Sequence, residues 1–326
     1  TGGGLTVARA AAQRGFTVAL IEQDATGGTC LNRGCIPSKM LLYPVGQADR
    51  IRHSARLNLL GGDSVRVDFT RLAERITATI TQVSADLTRE IAAQEAVDLY
   101  RGTAAFVADK AVRVGSQVLS GDMVFIATGT RPAVPDIGGL AGTPFMTSRE
   151  ALRRTDLPKR LIVIGAGYIA TELGYAYGAA GAAVTFVVRS RFFRKLDREI
   201  SEEFTRVFAA GHTVMAGCVP VAVSYAGGLF TVVCRDAAQQ RTTLTGDGLL
   251  VATGLVPETD RLGLEHTGIL KDARGFVQVD DCLQTAVPGV YAFGDVAGAY
   301  FFRHTANYEA KHLIATVLDQ GRPAAL

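Results

Sequence analysis

Residues 161–188 combine apolar segments with glycine turns in an order that few folds accommodate. An apolar run at 161–164 is followed by Gly165, Gly167 and Ala170 in a G-x-G-x-x-A sequence, then by a helical stretch and a second apolar run. Where such a sequence follows a strand and opens a helix, its glycines let backbone N–H groups approach a pyrophosphate. We therefore predict a strand–helix–strand unit of an α/β fold that binds a dinucleotide. Its predicted cofactor contacts are Gly165, Gly167, Tyr168 and Ile169.

Basic residues follow the second strand of this unit. In NAD sites that strand usually ends in an acidic residue that binds the ribose 2′-hydroxyl, whereas here it is followed by Arg189, Arg191, Arg194 and Lys195. Guanidinium groups match phosphate in a bidentate manner. The pattern favours NADP over NAD, with Arg189 and Arg194 as the contacts, and the alternative is a solvated basic turn.

A second dinucleotide unit is predicted at the start of the sequence. Glycines at positions 2–4 lead into an alanine-rich helix, and a strand over 16–21 ends in Glu22. This matches the later part of the same dinucleotide-binding motif (the dinucleotide fingerprint), with the acidic residue at the end of its second strand in place. We expect its first strand and at least one glycine to lie upstream of Thr1, and we predict cofactor contacts at Gly2, Gly4 and Glu22.

Three later segments read as strands that end in a turn. Residues 123–129 and 248–254 end in Ala-Thr-Gly, and residues 290–295 end in Gly-Asp. Each of the first two segments follows one of the two dinucleotide units. This indicates an internal repeat in the order of elements, although the two repeats differ in length. Asp295 either caps the next helix or accepts hydrogen bonds from a ribityl chain. The predicted cofactor contacts here are Thr128, Gly129, Gly254 and Asp295.

Two cysteines five positions apart, Cys30 and Cys35, precede a proline and Lys39. A disulfide needs Cα atoms about 4.4–6.8 Å apart, whereas five steps of a regular helix rise about 7.5 Å. The segment must therefore bend, for which Gly34 gives backbone freedom. Pro37 fits the first turn of a following helix, which would place Cys35 near the helix N-terminus and favour its thiolate. A redox pair is predicted; the alternatives are ordinary buried thiols or a zinc site that lacks two further ligands.

Composition excludes several classes of protein. The net charge of +3 is too small to indicate nucleic-acid binding, and five cysteines in 326 residues do not indicate a secreted disulfide scaffold. Residues 161–188 carry Glu172 as their one charged residue, but their glycines and apolar ends favour strands and a buried helix over a membrane span. We expect no membrane or nucleic-acid partner, no metal site, and a cytoplasmic protein.

Together these motifs resemble the class I flavoprotein disulfide reductases, the pyridine nucleotide-disulfide oxidoreductases that include dihydrolipoamide dehydrogenase. The matching segments run from end to end of the chain: Glu22, 27–39, 127–129, 165–172, 252–254 and 285–295. The resemblance implies an α/β fold with two Rossmann-like domains, FAD in the first and NADP or NAD in the second. It adds Gly28, Thr29, Lys39 and Ala104 to the predicted cofactor contacts.

The resemblance also implies catalytic roles. Cys35 would face the flavin, and Cys30 would exchange with the substrate disulfide. Lys39 and Glu172 would pair beside the flavin, and Tyr168 would cover the nicotinamide site; Tyr168 and Glu172, four residues apart on a helix, share a face. Electrons would pass between NAD(P)H, FAD, a Cys30–Cys35 disulfide and a thiol or disulfide substrate.

The resemblance predicts the organisation of the chain as well. The FAD-binding domain would comprise 1–148 and 274–326, and the NAD(P)-binding domain 149–273. None of the five histidines is followed by proline, so we expect the family's C-terminal interface domain, with its His-Pro motif, to be absent and the sequence to be truncated at both ends. The full-length parent would be a homodimer.

The predicted substrate is a small disulfide or dithiol, or a lipoyl protein, because 30–39 most resembles dihydrolipoamide dehydrogenases. Arg189 favours NADPH-dependent members such as mycothione or mercuric reductase. A fragment with diaphorase or NAD(P)H oxidase activity, or with nucleotide binding alone, is the further alternative.

Overall fold

A computed structural model describes residues 2–319 of the chain as alternating helices and strands. The α-helices are α1 (Gly2–Gln13), α2 (Gly28–Arg33), α3 (Cys35–Arg52), α4 (Phe69–Ala92), α5 (Ser148–Ala151), α6 (Tyr168–Ala180), α7 (Arg198–Gly211) and α8 (Arg303–Leu313). The strands are β1 (Val18–Glu22), β2 (Val97–Arg101), β3 (Ala104–Ala108), β4 (Ala111–Val114), β5 (Gln117–Ser120), β6 (Val124–Ile126), β7 (Thr130–Pro132), β8 (Arg160–Ile164), β9 (Ala183–Val188), β10 (Thr213–Ala216), β11 (Val219–Ala226), β12 (Leu229–Arg235), β13 (Arg241–Gly246), β14 (Gly248–Val251), β15 (Leu255–Pro257) and β16 (Val290–Ala292).

The chain forms two compact units, each assembled from separate stretches. Within the described residues, unit 1 comprises 2–32, 80–131 and 255–319, and unit 2 comprises 33–79 and 132–254. These divisions assign 33–79, 132–148 and 255–273 differently from the predicted nucleotide domains. The assignment of FAD and NAD(P) to those domains stays a prediction.

Unit 2 is built on a parallel sheet with strand order β10-β9-β8-β14. The predicted strand–helix–strand segment forms its centre, because Val163 of β8 lies opposite Phe186 on β9 and Leu250 on β14. Strands of a parallel sheet that is covered on both faces are buried along their length, and every residue of β14 is buried. This confirms the α/β prediction for residues 161–188.

Unit 1 contains two parallel strand pairs, β1 with β2 and β6 with β16. Strand β1 ends at Glu22 as predicted, and it pairs in parallel with β2 from Val18–Val97 to Glu22–Arg101. A buried cluster under α1 and α8 includes Phe293 and Leu313. This cluster packs the alanine-rich α1 against the end of the chain that follows β16.

Each unit also carries a three-stranded antiparallel sheet, β3-β4-β5 in unit 1 and β11-β12-β13 in unit 2. In chain order, each of these sheets lies between the dinucleotide segment and the strand that precedes an Ala-Thr-Gly turn. The two units therefore share an order of elements, as the predicted internal repeat requires. The sheets themselves were not predicted.

Residues 35–92 form two long helices, α3 and α4, joined by a loop with two short 3-10 turns. Helix α3 begins at Cys35, so Pro37 is its third residue and lies in the first turn, as predicted. The first helical N–H groups have no intrahelical acceptor, and proline loses no hydrogen bond at this position. Among the described residues, no helix is long and apolar enough to cross a membrane.

Candidate redox and nucleotide-binding sites

The two cysteines lie on successive helices that meet at Gly34. Cys30 is the third residue of α2 and is half-buried, and Cys35 is the exposed first residue of α3. Gly34 precedes α3 as its N-cap residue, with φ −141° and ψ −115°, so the helical path is interrupted between the two cysteines. The N-terminal position of Cys35 favours the thiolate, since the N-terminus of a helix carries partial positive charge.

The remaining cysteines belong to other surroundings. Cys218 and Cys234 are buried in the apolar core of unit 2, and burial raises the pKa of Cys234 to about 11. Burial, with smaller contributions from Asp280 and Asp281, also raises the pKa of Cys282. Because their pKa values are raised, the Cys234 and Cys282 thiols are poor nucleophiles at neutral pH. No cluster of potential metal ligands occurs within residues 2–319.

Helices α3 and α6 of unit 2 are joined by an ion pair. The Lys39 Nζ atom donates to Glu172 Oε1 at 2.5 Å, with the lysine side chain 61% exposed and the glutamate 33% exposed. Tyr175, one turn after Glu172, donates its hydroxyl to Asp49 on α3 at 3.2 Å. The predicted contact between Lys39 and Glu172 is therefore present, and it attaches the Cys35 helix to the fingerprint helix.

The glycine turn between β8 and α6 requires glycine at its first position. Gly165 has φ +144°, and a Cβ there would lie 2.3 Å from the carbonyl oxygen of Ala252. Gly167, the N-cap of α6, has no atom within 4 Å of the position a Cβ would take. The turn is thus closed on the side of the sheet and open above the helix N-terminus, which fits a pyrophosphate.

The basic loop that follows β9 lies beside this turn. The Phe193 N–H donates to the carbonyl oxygen of Ala166 at 2.9 Å, which holds the basic loop after β9 beside the turn. The Arg191 side chain is hydrogen-bonded within the protein, since its Nε donates to the Ser201 hydroxyl at 2.8 Å. Arg189 and Arg194 lie on the same loop and are exposed. Their role in binding a 2′-phosphate stays a prediction.

In unit 1, Gly3 allows helix α1 to approach its neighbours closely. A Cβ at Gly3 would lie 2.7 Å from the Phe293 ring and 3.2 Å from the carbonyl oxygen of Ala306. The third glycine of the dinucleotide fingerprint has this packing role. Gly2 and Gly4 were predicted as cofactor contacts and Gly3 was not, because three successive glycines leave the register of the motif open in the sequence.

Asp295 lies after β16, half-buried, in a position that fits a hydroxyl-bearing ligand. Its Oδ2 accepts a hydrogen bond from the Thr130 hydroxyl at 2.8 Å, and burial raises the pKa of the carboxyl above its usual value. Glu309 of α8 is 4% exposed and accepts the Gly294 N–H at 2.6 Å. Its pKa is raised by burial, with a smaller contribution from Asp295. The glycines of α1 and this polar group are consistent with FAD.

The predicted site residues fall in both units. In unit 1 they are Gly2, Gly4, Glu22, Gly28, Thr29, Cys30, Ala104, Thr128, Gly129 and Asp295; in unit 2 they are Cys35, Lys39, Gly165, Gly167, Tyr168, Ile169, Glu172, Arg189, Arg194 and Gly254. The Gly102 N–H donates to the Glu22 carbonyl at 3.2 Å, which places Ala104 near the end of β1. Gly254 accepts from the Ala133 N–H at 2.9 Å. Their ligand roles stay predictions.

Sequence reasoning missed three side chains beside these positions: Thr130, Arg303 and Glu309. Thr130 follows the Ala-Thr-Gly motif directly, which was the available signal. Arg303 begins α8, and its Nη1 lies 3.5 Å from Cys30 Sγ. Contacts between positions so distant along the chain leave no periodic signal in one sequence.

The chain is similar in sequence to one known family of proteins and to several individual oxidoreductases. Residues 2–314 match the family described as pyridine nucleotide-disulphide oxidoreductase. The chain is 34% identical over 310 residues to a mercuric reductase of Staphylococcus aureus, covering 94% of the chain and 56% of that protein. It is 31% identical over 334 residues to a dihydrolipoyl dehydrogenase of Geobacillus stearothermophilus, covering 99% and 69%. The chain thus spans about half the length of the mercuric reductases it matches.

A solved structure is similar over nearly the whole chain. The HOCl-induced flavoprotein disulfide reductase RclA from Escherichia coli superposes with a TM-score of 0.86 at 27% sequence identity. The match covers 99% of this chain and 71% of that one.

Proposed function

Because the chain belongs to the pyridine nucleotide-disulphide oxidoreductase family, we propose that it passes electrons between NAD(P)H, FAD and the Cys30–Cys35 pair to a thiol or disulfide substrate. The family uses FAD and NAD(P)H, as predicted for the cofactors. The observation that carries the proposal is the ion pair between Lys39 and Glu172. It joins the helix that begins with Cys35 to the helix that opens at the nucleotide-binding turn.

The residues of the chain have distinct tasks in this proposal. Bound FAD supplies the exchange of a hydride with the nicotinamide and of electrons with the dithiol. Cys35, at the start of α3, is the thiol that faces the flavin, and Cys30 exchanges with the substrate. Lys39 holds positive charge beside the flavin, and Glu172 fixes its position. Tyr168 covers the nicotinamide pocket, from which it excludes water.

The electrons and protons balance around the disulfide. Reduction of a Cys30–Cys35 disulfide takes two electrons from NAD(P)H and yields two thiols when two protons are bound. A disulfide substrate then takes the same two electrons and leaves as a dithiol or as two thiols. The reverse direction oxidises a dithiol and forms NAD(P)H.

For the substrate, we propose a dihydrolipoamide-type dithiol or disulfide. The segment 30–39 supports it, since it resembles that of dihydrolipoamide dehydrogenases. A mercuric or mycothione reductase activity with NADPH is the second candidate, favoured by the exposed Arg189 beside the nucleotide turn. Turnover of dihydrolipoamide, mycothiol disulfide and Hg²⁺ by the purified chain, with NADH and NADPH compared, distinguishes the two.

The experiment that tests the proposal is an anaerobic titration of the flavin-loaded chain with NADPH. We expect flavin absorbance in the purified protein and a long-wavelength charge-transfer band after reduction. The band should disappear in Cys35→Ser and persist in the matched variant Cys282→Ser. Flavin reduction without the band, in the parent protein, would indicate an NAD(P)H oxidase or diaphorase instead. A chain that binds no flavin would be a nucleotide-binding protein and would refute the proposal.

A further inference from the structure

We propose that the Arg303 guanidinium stabilises the thiolate of Cys30, and so makes Arg303 a catalytic residue of the thiol exchange. The inference rests on the proposed function, in which Cys30 is the thiol that meets the substrate. Arg303 and Cys30 both belong to unit 1, and the Nη1 atom lies 3.5 Å from Sγ. A positive group at this distance favours the charged form of a thiol.

The position of Arg303 on its helix supports a functional role. It is the first residue of α8, whose first turn contains no acidic residue. A cation at the N-terminus of a helix opposes the macrodipole and is unfavourable there. Residues that break a local preference of this kind are expected at functional sites. Interaction with a thiolate offsets the cost.

Arg303 acts through its charge and its hydrogen bond, not as an acid or base. A guanidinium remains protonated at all physiological pH values and has five N–H donors. Asp24 precedes α2, and the other charged or titratable side chains on α2 and α8 are Arg33, His304, Tyr308, Glu309, Lys311 and His312. The Asp24 carboxylate accepts the Ala25 N–H at 2.7 Å, and the Glu309 carboxylate accepts the Gly294 N–H. The Arg303 Nη1 atom lies 3.5 Å from Cys30 Sγ.

The reaction step that benefits is the attack on a disulfide. The Cys30 thiolate forms a bond to one substrate sulfur, the substrate S–S bond breaks, and the second sulfur leaves as a thiolate. The Cys35 thiolate then attacks Cys30 Sγ, forms the Cys30–Cys35 bond and releases the first substrate sulfur. The two electrons come from the dithiol, which NAD(P)H restores in the proposed function. Arg303 increases the fraction of Cys30 that is ready to attack.

The test measures alkylation of Cys30 as a function of pH in a Cys35→Ser background. Iodoacetamide is the probe, and mass spectrometry of the Cys30 peptide gives the rate, with the Cys282 peptide as internal reference. In Arg303→Met we expect the pH midpoint of Cys30 alkylation to rise by about one unit. An adjacent opposite charge typically shifts a pKa by about one to three units, so this expectation is at the lower end of that range. At pH 7 the rate should fall only about threefold, because a more basic thiolate is also a better nucleophile.

Two variants make the result specific. Arg303→Lys keeps the charge and should restore most of the shift. Lys311→Met removes a cation eight residues further along α8, about 12 Å away, beyond the screening length of about 8 Å at physiological salt, and should leave the midpoint unchanged. An unchanged midpoint in Arg303→Met, or equal shifts in Arg303→Met and Lys311→Met, would overturn the inference. The assay uses neither flavin nor nucleotide, so its failure is separate from failure of the proposed function.

Discussion

The glycine turn of unit 2 allows a prediction in which two similar substitutions have opposite consequences. In Gly165→Ala, the new Cβ would lie 2.3 Å from the Ala252 carbonyl oxygen, at a backbone φ of +144°. Backbone strain of this kind costs about 1–3 kcal/mol, and overpacking a further 1–3 kcal/mol, so the expected loss is about 2–6 kcal/mol. The Ala252 N–H is bound to the Ile164 carbonyl at 2.8 Å, so the obstructing oxygen cannot move without disturbing the sheet.

Gly167→Ala is the matched control. Gly167 has φ −96°, which alanine adopts, and the space around it is open. Loss of glycine at an N-cap costs at most about 1 kcal/mol. The added methyl group would, however, stand where the pyrophosphate approaches. We therefore expect this variant to fold with nearly unchanged stability and to bind NADPH much more weakly.

The assay combines thermal unfolding followed by circular dichroism, without nucleotide, and NADPH binding followed by fluorescence. At about 2–4 °C per kcal/mol for a domain of this size, the unfolding midpoint of Gly165→Ala should fall by about 4–24 °C. That of Gly167→Ala should fall by less, at most about 2–4 °C. Equal midpoints for Gly165→Ala and the parent, or a larger fall for Gly167→Ala, would refute the reasoning.

Three further outcomes are expected. Arg189→Glu should reverse the preference of the chain for NADPH over NADH, measured as the ratio of the two dissociation constants; an unmoved ratio would remove Arg189 from the phosphate site. Lys39→Met should change the free energy of unfolding by less than about 1 kcal/mol, since the ion pair is exposed, but slow reduction of the Cys30–Cys35 disulfide at least about tenfold in stopped-flow experiments. Glu309→Gln should stabilise the protein progressively as the pH rises above about 4.3, the usual pKa of the group. The raised pKa of Glu309 means that the folded state binds the proton more tightly than the unfolded state does. The parent protein therefore loses stability as the pH increases. The side-chain amide of the variant does not titrate and still accepts the Gly294 N–H, so the variant does not lose stability in this way. Unfolding midpoints of both proteins between pH 4 and 7 measure the difference, and a constant difference would contradict the prediction.

The parts of the fold that could be predicted from the sequence are those with a local signal. Residues 161–188 were assigned as strand, glycine turn, helix and strand because period and glycine spacing are set within one short stretch. The end of β1 at Glu22 followed in the same way. The position of Pro37 in the first turn of α3 was predicted because a proline there loses no intrahelical hydrogen bond.

Long-range contacts were accessible only through resemblance or not at all. Lys39 and Glu172 are 133 positions apart, and their pairing was expected from the family, not from periodicity. The contact between Arg303 and Cys30 spans 273 positions and had no such precedent to suggest it. The packing of Gly3 against Phe293 likewise depends on how α1 and α8 meet, which no window of the sequence describes.

Differential thiol labelling tests the central claim most directly. The flavin-loaded chain is treated anaerobically with one equivalent of NADPH, alkylated, and analysed by mass spectrometry at all five cysteines. The account predicts that Cys30 and Cys35 become reactive together only after NADPH is added, while Cys218, Cys234 and Cys282 keep their initial labelling. If Cys30 and Cys35 are labelled equally before and after NADPH, electrons do not pass through the pair and the proposed function is wrong.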